Sequence, residues 1–144
     1  MPGNLDPIYS RVGDVSKDGS TGMATDLLTA TGDFTGVSAN HQLVHTADAT
    51  NGGYVARLRF KSKGTNVASV ARIYLNNGST NTTATNNSFF EEVSLPATTL
   101  NNAGATVTID IPMNIALNPG FRIYVGLGTT VAAGWVCTPV AGKY

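Results

Sequence analysis

The stretch from Tyr54 to Leu100 constrains the fold more than any other part of the chain. Tyr54, Ala56, Leu58 and Phe60 alternate with Val55, Arg57, Arg59 and Lys61, the two-residue period of a strand with one dry and one wet face. A one-residue slip would bury the cations, so this register is strongly specified. After Gly64-Thr65-Asn66 comes a second such run, with Ser69, Ala71, Ile73 and Leu75 on one face and Val70, Arg72 and Tyr74 on the other. The three-residue connection predicts that the two strands form an antiparallel hairpin. Asn76-Asn77-Gly78 is a turn signal, and the Thr/Asn-rich run 79–87 has nothing apolar to bury. Then Phe89, Glu91, Val93 and Leu95 alternate with Phe90, Glu92 and Ser94, up to Pro96. Carboxylates on this strand suit the edge of a sheet.

The rest of the chain repeats the pattern. Val107, Ile109 and Ile111 alternate with Thr106, Thr108 and Asp110, and Pro112 is expected to end the pairing. Asn118-Pro119-Gly120 fits a β-turn, since proline presets φ and glycine accepts φ > 0. Phe121, Ile123, Val125 and Leu127 form a further apolar face, and a last strand is expected over 134–140, with Trp135 and Cys137 on one side. Toward the N-terminus, 24–31 and 41–46 are weaker strands, and Asp26–Ala30 could instead make one helical turn. Residues 1–21, broken by Pro2, Gly3, Pro7, Gly13 and Gly19, read as an arm with a short strand at Ile8–Val12. About seven to nine short strands at turn intervals near ten residues predict an all-β chain. The expected organisation is an extended N-terminal arm, 1–21, and a single antiparallel β-sandwich, jelly-roll-like, over 22–144.

Composition narrows the function. Nine Lys and Arg balance nine Asp and Glu, which argues against a nucleic-acid or membrane-surface binder, both of which need a basic excess. Charged residues are only 12%, about half the usual share, so Thr, Asn, Ser and Gly must form much of the wet surface. The one cysteine, Cys137, excludes an internal disulfide, and its apolar neighbours suggest a buried, inert thiol. No apolar run reaches the ~20 residues of a membrane helix, and the N-terminus has no signal-peptide pattern, so folding in a reducing cytoplasm is expected.

Chemistry is sparse. His41 and His45, four apart, would share a face on a strand, and with Asp48 they are a conceivable metal site. Two polar positions on a solvated segment explain them as well, and no metal or other cofactor is expected. Glu91 and Glu92 point to opposite faces and make no glycosidase pair. Phosphate-loop, nucleophile-elbow and dinucleotide fingerprints are absent from the sequence, and an enzyme is not expected. Arg57, Arg59, Lys61 and Lys63 stand out as a cationic row roughly 20 Å long, read as a solvated face or as a surface that meets an acidic protein.

Several of these runs together resemble a family of small structural proteins of tailed bacteriophages, encoded among head genes. They are Arg57–Phe60, the run from Gly64 to Gly78, Phe89–Leu100 and Gly120–Trp135, with a looser match at Pro7-Ile8-Tyr9-Ser10-Arg11. The resemblance implies a jelly-roll-like fold and homo-oligomers (dimer or trimer). It also implies a capsid decoration, or cement, role on the outside of the virion, with the major capsid protein as partner. It supplies no catalytic residues. On that expectation the shell contacts fall to the arm (Ile8, Tyr9, Arg11) and to the cationic row (Arg57, Arg59, Lys61, Lys63), a row expected to lack local counter-charges. A tail or baseplate component is the alternative within the same particle. A carbohydrate-binding sandwich for host attachment, with Tyr74, Tyr124 and Trp135 as stacking platforms, is the alternative from another class.

Overall fold

The computed structural model describes residues 12–18, 22–23 and 25–144. Nine strands follow in order: β1 (Val12–Asp14), β2 (Thr25–Leu27), β3 (Gln42–Thr46), β4 (Gly53–Ser62), β5 (Ser69–Asn76), β6 (Asn87–Leu95), β7 (Thr108–Leu117), β8 (Arg122–Leu127) and β9 (Trp135–Lys143). The one helical element described is a single 3-10 turn, Ala84–Asn86.

The strands form two antiparallel sheets packed face to face. One has the order β1-β9-β4-β7, with β2 also on β9, and the other β3-β8-β5-β6. The pairs β5·β6, β4·β7, β3·β8 and β2·β9 are nested within one another. That is the pairing of one long antiparallel ribbon folded over on itself, and the β9·β4 and β8·β5 pairs complete the two sheets. Val44, Val55, Leu58, Phe60, Ile73, Ile123, Val125 and Trp135 are completely inaccessible between the sheets. Burying each such side chain is worth about 1.5–3 kcal/mol, which is why the alternating pattern dictates the layers.

The predicted hairpin between β4 and β5 does not form: the two strands lie in opposite sheets. The connection is instead held by Asn66, 4% exposed. Its amide donates to Ser62 Oγ (3.1 Å) and to the Gly134 carbonyl (3.0 Å), and its oxygen accepts the N–H groups of Ala133 and Gly134 (both 2.8 Å). Asn66 and Thr98 also exchange backbone hydrogen bonds (3.0 and 2.9 Å). The connection is thereby pinned as an arch between sheets.

Bulges alter the predicted faces. An extra residue, Ala56, shifts the β4–β9 register between Val55 and Arg57. Before it, Val55 is buried and Tyr54 turns outward to bond Asn114 Oδ1 (3.2 Å), the reverse of the expectation; from Arg57 onward the faces are as expected. Another shift falls at Phe90, between the pairs Ile73↔Glu91 and Tyr74↔Phe89. Pro112 does not end β7, which runs on to Leu117. The strand tolerates it because β7 is a sheet edge with one side unpaired among the described residues, and Asn114 (φ 50°) makes the bulge beyond it. β6 is the other sheet's edge, as its carboxylates suggest.

At the N-terminus, the arm and sandwich meet differently from the expected boundary at 21. Val12–Asp14 pairs with Ala141–Lys143 and belongs to the five-stranded sheet. Ser16 N–H and Oγ both donate to Asp14 Oδ1 (3.2 and 2.7 Å), and His45 Nδ1 lies 3.2 Å from the Ser16 carbonyl. Residues 8–11 of the expected first strand lie outside the described residues. Thr25–Leu27 is strand, not a helical turn.

Candidate partner-binding surface

The cationic row crosses the outer face of the five-stranded sheet. β9 flanks it with Val136, Thr138 and Val140, in register with Lys61, Arg59 and Arg57. β7 flanks it on the other side with Thr108, Asp110 and Pro112. Arg57, Arg59 and Lys63 keep 44, 46 and 44% of their side chains exposed.

The expectation that these cations lack counter-charges is overturned. Asp110 faces Arg59 across the ladder and takes both of its bonds, Nε to Oδ1 and Nη2 to Oδ2, at 2.7 Å each. Arg57 Nε is 3.7 Å from the same carboxylate. Lys63 Nζ is 2.7 Å from Asp26 Oδ2, and Lys61 donates to the Thr106 carbonyl. The hydrogen bond from Arg59 lowers the Asp110 pKa, and the same bond raises that of Arg59. Alternation alone placed Asp110 on this face; only the β4–β7 register reveals its partner. Four cations against two carboxylates still leave a positive face. Ile8, Tyr9 and Arg11, the other candidate contacts, lie outside the described residues.

The other sheet's outer face carries a device that sequence reasoning missed. The link 31–40 folds down over it, organised by Asp33. Asp33 Oδ1 accepts from Thr35 N–H (2.9 Å) and Thr35 Oγ1 (2.6 Å), and Oδ2 accepts from Val37 N–H (2.8 Å) and Ser38 N–H (3.2 Å). Partial burial pushes the Asp33 pKa up, but these hydrogen bonds outweigh it and hold the value at about 2. The loop covers Tyr74, which is outward as predicted yet fully buried, and whose hydroxyl donates to the Asp33 carbonyl (3.0 Å). Arg72 lies 3.9 Å over the Phe34 ring, with Nε 3.1 Å from Glu92 Oε1. Phe34 and Phe89 meet edge-on at 6.0 Å and stay 53 and 44% exposed. The Asp33-Phe34-Thr35 signature of an Asx-type turn was the available signal.

The two histidines do not share a face. An irregularity between Leu43 and His45 turns His45 inward, opposite Ile123, whereas His41 packs outside on Tyr74 at 4.7 Å. Burial lowers both pKa values, in His41 against the pull of the Gly36 backbone and Asp33, and in His45 against that of the Ser16 carbonyl and Asp14. No group of three His, Cys, Asp or Glu able to hold a metal occurs among the described residues. Cys137 is fully buried, and burial pushes its thiol far above the usual range. Tyr74 and Trp135 are inaccessible and Tyr124 is half-buried, so the expected stacking platforms do not form an exposed set. Among the described residues no helix is long and apolar enough to cross a membrane.

No family model matches the chain, and no curated protein and no solved structure matches it. What stands is an all-β, two-sheet sandwich with one cationic outer face.

Proposed function

We propose that the chain is a non-enzymatic structural protein of a tailed-phage particle. It is a decoration protein, made in the bacterial host cytoplasm, that binds the outside of the head and stabilises the major capsid protein lattice. The observation that carries this reading is the excess of cations, in a row along one sheet face, over the carboxylates beside them. Such a face suits a broad acidic protein surface better than a nucleic acid, since no exposed aromatic side chain interleaves with the row. The sequence resemblance supplies the class of partner. A homo-oligomer on a symmetric shell would multiply weak contacts through effective concentration.

Quantitative mass spectrometry of purified particles tests it. One copy per about one to three copies of the major shell protein fits a lattice position. A dozen or fewer copies per particle, by order of magnitude, would move the protein to the tail, and absence from particles would refute the reading. In a binding assay on undecorated shells, the Arg57→Gln/Arg59→Gln/Lys61→Gln/Lys63→Gln variant should lose binding while keeping its fold. Removing residues 1–11, a cut that stops short of β1, tests the arm: unchanged shell binding would take away its role.

A further inference from the structure

A cavity of about 350 Å³ opens at one end of the flank between the two edge strands β6 and β7. Its apolar floor is made by Leu75, Leu117 and Phe121, and its rim by amides and hydroxyls that include Asn77, Asn118 and Ser88. None of the residues that line it is ionisable. The volume lies at the small end of the range for ligand pockets, about 300–1,000 Å³.

The rim is built and held. Asn77 Nδ2 donates to Asn86 Oδ1 (3.1 Å), Asn76 Nδ2 to Asn87 Oδ1 (2.8 Å), and Asn86 Nδ2 to the Thr80 carbonyl (2.9 Å). Gly78, at φ 86°, sits so close to the Gly120 carbonyl that a Cβ there would come within 2.7 Å of it. These contacts fix two turns against each other, so the cavity needs little ordering to receive a ligand. Against that committed framework, the side chains of Thr85, Ser88 and Asn118 have no hydrogen-bond partner among the described residues. They supply two hydroxyls and one amide around an apolar floor.

We infer that this cavity binds a neutral sugar, a hexose or a small neutral oligosaccharide. A pyranose has an apolar C–H face to lie on Phe121 and Leu75 and hydroxyls for Ser88, Thr85 and Asn118. A phosphate, carboxylate or ammonium would find no counter-charge in the lining. The inference does not depend on the capsid reading, because the cavity lies on a flank and not on the cationic face.

The test is saturation-transfer NMR followed by titration of the full chain. The probes are glucose, galactose, mannose, N-acetylglucosamine and maltose, with sialic acid and glucose 6-phosphate as charged controls. At least one neutral sugar should bind saturably, and the charged controls at least ten-fold more weakly. Asn118→Ala and the rim-blocking Ser88→Trp should each weaken binding at least ten-fold while leaving the melting temperature within a few degrees. Phe121→Ala should weaken binding as much, but its half-buried ring also packs against the core and its loss lowers the melting temperature, so the two rim variants decide. Absence of saturable binding by all five neutral sugars would overturn the inference, and so would equal binding of the charged controls or binding untouched by Ser88→Trp. Loss of shell binding in Ser88→Trp, with no sugar bound by the parent, would mark the cavity as a socket for a partner's side chain and also refute it.

Discussion

Asn66→Ala should be among the most damaging single substitutions outside the apolar core. The side chain is 4% exposed and serves three segments: the end of β4, the strand-like stretch around Thr98, and the turn before β9. Alanine removes the acceptor for the N–H groups of Ala133 and Gly134, both at 2.8 Å. The Gly134 carbonyl keeps a partner, the Lys63 N–H at 3.0 Å, so the loss concentrates on two donors. A buried donor left unpaired costs about 1–3 kcal/mol, which puts the pair at about 2–6 kcal/mol. That is a large share of the roughly 5–15 kcal/mol of a typical domain, and it corresponds to a fall of about 4–24 °C in melting temperature. Urea titration followed by tryptophan fluorescence reads it directly, since Trp135 lies fully inside the sandwich. The control is Asn101→Ala, which removes one exposed turn bond to the Ala103 N–H and should cost less than about 1 kcal/mol. A loss below about 1 kcal/mol for Asn66→Ala would refute the view that this amide pins the arch.

Asp110→Asn should release Arg59 and Arg57, raise the positive charge of the cationic face and strengthen shell binding, with a steeper salt dependence and an unchanged fold; weaker binding would contradict the proposed role of that face. The Asp33 carboxyl is held below its unfolded value, so its contribution to stability is present above about pH 4 and is lost as pH falls toward about 2. Asp33→Asn should remove that part of the acid dependence in urea midpoints and speed amide exchange at Val37 and Ser38. His41 and His45 are also depressed in the fold, so the unfolded chain takes up protons first. Stability should therefore decline as pH drops below about 6.5, less steeply in His41→Phe. Native Cys137 should resist thiol reagents and react at the rate of global unfolding, and rapid native labelling would contradict its burial.

How far the chain could be read from its residues depended on the kind of signal. Alternation found the strands because burying one face is a local, two-residue pattern, and Arg57, Arg59 and Lys61 lie outward as that pattern requires. Places where one residue breaks the period were not legible: the extra residue at Ala56 swapped Tyr54 and Val55, and the irregularity before His45 separated the histidines. The β4–β5 connection misled because Gly64-Thr65-Asn66 has hairpin chemistry; that Asn66 reaches Gly134, 68 positions away, has no local trace. The counter-charge at Asp110 and the cavity under Asn118 arise from pairings between distant strands for the same reason.

The nested pairing suggests an order of events in folding. β5 and β6 are separated by ten residues, 77–86, whereas 45 residues (63–107) separate β4 from β7, 75 (47–121) β3 from β8, and 107 (28–134) β2 from β9. Closing the longest loop first would carry the largest entropy cost. Once β5 meets β6, however, β4 and β7 are joined by linkers of only six and twelve residues, 63–68 and 96–107, and each later pair inherits a similar shortcut. The ribbon should therefore zip from its inner hairpin outward, with the two chain ends arriving last on β9. Truncating Val93 on β6 should then slow refolding, while truncating Leu27 on β2 should mainly quicken unfolding.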